Sequence, residues 1–175
     1  MQTITVKESN NLFPVFLKLE ELNVLLVGAG NVGLEKLQAI LHNAPATSVT
    51  VIATEINAEV KKLAAEHSTI LLIERTFDPA DLDNKDIIVV AVNDTSVSGY
   101  IRVLAKQKKL LVNVADNPDL CDFYLGSIVQ KGNLKIAIST NGKSPTVAKR
   151  LKEQINDMVP DEIESVLQNI KNALS

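Results

Sequence analysis

The sequence predicts an α/β chain: a doubly wound parallel sheet, then a small β-hairpin module and C-terminal helices. Three observations carry that prediction. Apolar, β-branched runs alternate with segments of helical periodicity as far as Val114. The first strong run, NVLLVG at 23–28, is apolar almost throughout, as in a strand covered on both faces. Beyond Asp116 the alternation stops, and two strand-like runs flank the turn signal Lys131-Gly132-Asn133.

In chain order, LFPVFLKL at 12–19 is a short apolar run with Pro14 inside it, which suits an edge strand or an arm. The strand at 23–28 is followed by a predicted helix over 31–43, where Val32, Leu37, Ile40 and Leu41 recur at close to helical spacing. Residues 49–53 predict a second strand, 58–67 a second helix, and 70–73 and 87–92 two further strands. A helix is expected over 95–108, with Asp94 or Thr95 as N-cap, and a fifth strand over 110–114. The hairpin pairs 123–130 with 134–139. Ser144-Pro145 is an N-cap followed by proline at the first helical position. It opens a helix from Thr146 to about Asp157, with Val147, Leu151 and Ile155 as its expected buried stripe. Pro160 opens a last helix carrying Ile163, Val166, Leu167, Ile170 and Leu174 on one face. A lone hairpin is marginal in water, so this C-terminal part reads as an interaction module.

Composition sets limits on function. A chain of 175 residues holds one main domain and an appendage. Its 46% hydrophobic and 22% charged content is ordinary for a globular protein. With no Trp, four Phe and two Tyr, the core must be mostly Val, Ile, Leu and Ala. A net charge of −3 offers no general attraction to nucleic acid or to an anionic membrane, so an anionic ligand must be held by a local cluster. One cysteine excludes an internal disulfide framework, and the two histidines add no metal-ligand spacing. The opening MQTITVKESNN is too polar for a signal peptide, and no apolar run approaches the roughly 18 residues of a membrane span. The expected location is cytoplasmic.

VLLVGAGNVGLEKL places Gly28, Gly30 and Gly33 in G-x-G-x-x-G spacing, directly after a strand and at the start of a helix. The first glycine permits a tight turn, the second lets backbone approach a pyrophosphate, and the third lets helix pack on strand. The helix N-terminus at Asn31 and Val32 then faces the anion. In this setting the loop predicts a Rossmann-like dinucleotide domain over 1–115, followed by a hairpin module over 116–143 and a helical region over 144–175. Glu55, just past the second predicted strand, is the candidate acid for the ribose hydroxyls. No arginine lies beside it in sequence to meet a 2′-phosphate, although Lys61 and Lys62 are near, so NAD is favoured over NADP. Glu55 could equally be an exposed acid opening the next helix. Asn93 follows the fourth strand at the ligand-binding edge and is a candidate cofactor contact, whereas Asp94 caps the helix.

Three segments together resemble one family. The FPVFL arm ahead of the glycine loop, N-x-x-D-x-P-x-x-C-D-F at 113–123 and S-T-x-G-K-S-P at 139–145 are similar to the precorrin-2 dehydrogenase, or siroheme synthase N-terminal domain, family. The likeness covers about residues 10–155. It implies NAD-dependent oxidation of precorrin-2 to sirohydrochlorin, with iron insertion in some members, and an intertwined homodimer built through the hairpin. The family more often carries alanine where Gly33 stands. The resemblance makes Asp116 the candidate general base or charge stabiliser; read as a residue alone, it could also be an Asx turn joining two domains. Candidate contacts for the polycarboxylate substrate are Asn113, Lys143, Ser144, Lys149 and Arg150, with Asn141-Gly142 as the turn presenting Lys143. Asp119 and Asp122 are expected to shape the loop and cap amides, and Cys121 to be a small packed side chain. Two rivals use the same glycine loop: a non-catalytic NAD-sensing regulatory domain, and another small NAD(P)-dependent oxidoreductase.

Overall fold

The computed structural model describes residues 9–174. The first eight residues of the polar opening stretch, and hence most of the signal-peptide reading, lie outside the described residues. Two compact units appear: Phe16–Phe123, and residues 9–15 together with 124–174. The segment 116–123, expected with the hairpin, thus belongs to the first unit. The hairpin and the terminal helices, expected as separate regions, form a single second unit.

In the first unit, β1 (Asn23–Ala29), β2 (Ser48–Ile56), β3 (Ile70–Glu74), β4 (Ile87–Val90) and β5 (Leu111–Val114) make one parallel sheet in the order β3-β2-β1-β4-β5. Helices α1 (Asn31–Asn43), α2 (Ala58–Glu66) and α3 (Thr95–Gln107) are the crossovers. The period of two along each strand divides the core into two layers. Val24, Leu26, Val49, Val51, Ile87 and Val89 pack with Leu37, Ile40 and Val60 of α1 and α2. Leu25, Val27, Ile52, Ile88, Val90 and Val112 pack with Ile101 and Ala105 of α3. Both faces are covered, which explains the unbroken apolar runs.

The sheet grows outward from β1 to β3, and the chain then returns to place β4 on the other side of β1. The loops after β1 and β4 therefore diverge, leaving a crevice at the carboxyl edge where open α/β sheets bind ligands. Asp94 caps α3, its Oδ1 accepting from the amides of Ser96 (2.8 Å) and Val97 (3.2 Å). Two boundaries depart from expectation. β2 continues to Ile56, because the pairing with β1 resumes at Ala29↔Ile56 after an irregularity, so Glu55 lies inside the strand rather than past it. β4 stops at Val90, since its ladders with both neighbours end there.

The second unit contains an antiparallel hairpin, β6 (Ser127–Lys131) and β7 (Leu134–Ile138), with α4 (Pro145–Met158) and α5 (Ile163–Leu174). Lys131 pairs with Leu134, so Gly132-Asn133 is a two-residue turn, and Gly132 supplies the positive φ of 55°. Glu164 of α5 accepts from the Asn133 amide at 2.8 Å and so fastens this turn. The segment 12–17 is an arm with no regular structure, and Phe13 is 86% exposed. The stripe expected on α4 is corrected: Val147 and Leu151 are exposed, and Ala148 is the buried residue, because β6 and β7 meet the helix on that side. On α5 the side chains of Leu167 and Leu174 lie outside the described ones. Among the described residues, no helix is long and apolar enough to cross a membrane.

Candidate active site

The turn after β1 is built by glycine because nothing larger fits. Gly28 has φ +102°, and a Cβ there would stand 2.2 Å from the Ala91 carbonyl oxygen. A Cβ on Gly33 would stand 2.1 Å from the Gly28 carbonyl oxygen, so α1 packs directly on the turn. Alanine, common in the resembling family at this position, would need the loop to shift here. Gly30 is different: a Cβ there meets nothing within 4 Å. As N-cap of α1 it has no side chain to cap with, so the first amides of the helix are left for a ligand.

These amides border a cavity of about 730 Å³ at the carboxyl edge of the sheet. The candidate cofactor contacts Gly28, Gly30, Asn31, Val32, Glu55 and Asn93 all line it, while Gly33 lies beneath as packing. Asn57 of the next loop holds the Asn31 side chain, Nδ2 donating to Oδ1 at 3.3 Å. The size suits a cofactor pocket. An open Gly30, uncapped helical amides and an acid on β2 together fit a dinucleotide. The cavity also brings in Arg75, Thr76 and Phe77 from the end of β3, and Tyr100 from α3, none of which the sequence had suggested. The parallel pairing Ala53↔Glu74 puts Arg75 beside the end of β2, far from it in sequence.

A second cavity of about 210 Å³ is lined by Val32, Asn93, Thr95, Ser98, Asp116 and Asn117, among others. Both cavities share Val32, Ala91, Val92 and Asn93, so the crevice runs from the ends of β2 and β3 to the end of β5. Asp116 is exposed and left-handed (φ 59°) in the turn closed by the Asn117 amide on the Val114 carbonyl at 3.3 Å. Aspartate tolerates that conformation better than most residues.

The rest of the acidic stretch is structural. Asp122 accepts from the Val112 amide at 3.0 Å and pairs with Lys106 at 2.9 Å. Asp119 sits in a 3-10 turn, Pro118–Leu120. The Cys121 thiol donates to the Val114 carbonyl at 3.1 Å and receives the Val114 amide at 3.2 Å. Burial pushes its pKa up, and neighbouring Asp122 adds to this, so the thiolate is disfavoured. Asn113 differs from its expected role. It is only 6% exposed, and its Nδ2 donates to the Phe123 carbonyl at 2.8 Å, so that amide braces the loop instead of reaching a ligand.

In the second unit, Asn141 and Gly142 both have positive φ (55° and 72°), and the Lys143 amide closes their turn on the Thr140 carbonyl at 3.1 Å. Ser144 caps α4, its Oγ accepting from the Val147 amide at 3.2 Å. Lys143, Lys149 and Arg150 are exposed around that helix start. Among the described residues, no group of three His, Cys, Asp or Glu side chains could hold a metal.

The family described as putative NAD(P)-binding matches residues 15–127, and the one described as sirohaem biosynthesis protein central matches 131–158. Siroheme synthase of Nitrosomonas eutropha is 33% identical over 148 residues, covering 85% of this chain and 31% of that protein. Siroheme synthase of Methylococcus capsulatus is 36% identical over 147 residues, covering 84% and 30%. The chain thus spans under a third of the length of these relatives. Among solved structures, SirC, a precorrin-2 dehydrogenase, superposes with a TM-score of 0.74 at 28% identity, over 90% of this chain and 76% of that one. The glycine loop, the crevice and the match over residues 15–127 lead to one conclusion: the chain belongs to the family described as putative NAD(P)-binding.

Proposed function

We propose that this chain oxidises precorrin-2 to sirohydrochlorin in siroheme synthesis, with NAD⁺ as the oxidant. The observation that carries the reading is the continuity of the glycine-loop cavity with the one lined by Asp116, through the shared wall of Val32 and Asn93. A dinucleotide in the larger cavity would be held by the Gly28–Gly33 turn, with Glu55 toward a ribose and Asn93 between the cavities. When bound, the nicotinamide supplies the hydride acceptor. Hydride loss leaves positive charge on the macrocycle, which the Asp116 carboxylate stabilises while it takes up the proton released. That reading is supported by Asp116 lining the second cavity, two residues past the end of β5.

The substrate is rich in carboxylates, and the exposed cations Lys143, Lys149 and Arg150, with the α4 N-terminus at Ser144, supply the complementary charge. The functional protein is a homodimer. Val147, Leu151, Met158 and Ile170 are exposed apolar residues of the second unit, which supports a partner copy covering them. Cytoplasmic placement fits the chemistry of a soluble tetrapyrrole and a nicotinamide cofactor.

The test is anaerobic turnover of precorrin-2 with NAD⁺ by wild type and Asp116→Ala. Loss of a positioned acid–base group lowers kcat roughly 10²- to 10⁴-fold, with NADH binding unchanged. Full activity in Asp116→Ala removes that residue from the chemistry. NADH binding without any turnover by wild type favours the sensing-domain reading instead.

A further inference from the structure

An arginine beside a ribose-binding acid is the usual means of accepting a 2′-phosphate. Here Arg75 lines the same cavity as Glu55, yet its guanidinium fork is occupied. Nη1 donates to Asp81 Oδ2 at 2.8 Å and to the Thr76 carbonyl at 2.8 Å, and Nη2 donates to Asp81 Oδ1 at 2.5 Å. Asp81 is itself fixed. Its Oδ2 accepts from the Asp78 amide at 2.7 Å, and the Asp78 side chain accepts in return from the Asp81 amide, a capping box on the 3-10 helix Pro79–Leu82; Asp78 Oδ1 also accepts from the Ala80 amide at 2.9 Å. Leu82 anchors that helix in the core at 1% exposure. The Asp81 side chain is 9% exposed and that of Arg75 44%, so the carboxylate forms the rigid half of the clasp. Lys61, the nearby cation noted in the sequence, pairs with Glu74 at 3.2 Å.

We propose that Asp81 sets the dinucleotide preference of this site by withholding Arg75 from the ribose 2′ position. A free 2′-hydroxyl then meets Glu55, whereas a 2′-phosphate meets that carboxylate with no guanidinium fork to receive it. Asp81 is a positioning residue: it acts on the cofactor only through Arg75. The inference rests on the larger cavity being the dinucleotide site, and it departs from the usual reading of an arginine at this place. Bidentate pairing with one carboxylate satisfies the donors a phosphate would need.

The experiment measures Kd for NADH and for NADPH by nicotinamide fluorescence, in the full chain. Wild type is expected to bind NADH more tightly. Asp81→Asn keeps an oxygen for the Asp78 amide but loses the charge and the bidentate acceptor. It should tighten NADPH by about 10-fold, the worth of one charge-assisted hydrogen bond, and leave NADH within about 2-fold. The gain should vanish in Asp81→Asn/Arg75→Ala. A merely structural role for Asp81 would weaken both dinucleotides together and leave their ratio alone, and an unchanged ratio in a folded Asp81→Asn overturns the proposal. Arg75→Ala alone provides a check that leaves Asp81 in place: it should not weaken NADPH, because the arginine is already withheld. Weaker NADPH binding in that variant overturns the proposal as well. Binding of neither dinucleotide by wild type overturns the cofactor-site reading and this inference with it, a result distinct from an unmoved ratio.

Discussion

Gly30 and Gly28 are two residues apart in one loop, and opposite outcomes are expected when each is changed to alanine. A methyl group on Gly30 meets no protein atom within 4 Å, and the backbone there is extended with φ −79° and ψ −160°, so Gly30→Ala should fold with stability unchanged within about 0.5 kcal/mol. The methyl group enters the cavity where a pyrophosphate would touch the backbone. Losing one charge-assisted hydrogen bond there, about 1.5–3 kcal/mol, weakens NADH roughly 10- to 150-fold. On Gly28 the same methyl group meets the Ala91 carbonyl oxygen at 2.2 Å from a φ of +102°. Overpacking contributes about 1–3 kcal/mol and the unfavourable backbone about 1–2. A loss of about 2–5 kcal/mol lowers Tm by roughly 4–20 °C for a chain of this size. Thermal unfolding by circular dichroism and NADH fluorescence titration read both effects. Gly30→Ala that binds NADH as wild type does would refute the placement of the dinucleotide, whatever its Tm.

Three further outcomes follow from the packing and the charges. Leu26 is fully buried in the core, so Leu26→Ala should cost about 2–5 kcal/mol, measured as a lower urea midpoint with an unchanged slope. Hydrogen bonding from Arg75 holds the Asp81 carboxyl below its usual range, so its stabilisation is full above the unfolded pKa of about 3.9 and is lost as pH falls through the lower folded value. The gap in urea midpoint between wild type and Asp81→Asn should therefore be constant near neutrality and shrink in acid; a gap independent of pH would contradict the clasp. Cys121 should react slowly with thiol reagents at neutral pH in the folded chain and at the ordinary rate once unfolded, because burial raises its pKa. Rapid labelling of the native protein would show the thiol is not packed as described.

Local patterns made much of this fold legible. The bounds of α1 could be read directly, because Gly30 opens the helix and the apolar spacing runs unbroken to its end. Asp94 as a cap, and the Asn141-Gly142 and Gly132-Asn133 turns, could likewise be read from single residues with strong conformational preferences. Two kinds of feature could not. Polar Thr54 and Glu55 hide the last residues of β2, whose extent depends on a partner strand. Arg75 enters the cavity only because β2 and β3 are parallel neighbours, so the residue after one strand stands beside the end of the other. The knowledge that β3 ends beside β2 would have found it. The stripe on α4 is exposed at Val147 and Leu151: periodicity identifies an apolar face without saying whether this chain or another covers it. Asn113 looked like a ligand contact in its motif, and its use as a brace depends on where Phe123 returns.

In the proposed reaction the glycine-loop cavity and the Asp116 cavity act together. The most direct test is a single anaerobic incubation of the full chain with precorrin-2 and NAD⁺, following NADH and sirohydrochlorin absorbance together. The two products should appear at equal rates and in equal amounts. Sirohydrochlorin formed without NADH, or NADH binding with no sirohydrochlorin above the protein-free control, would contradict the proposed reaction.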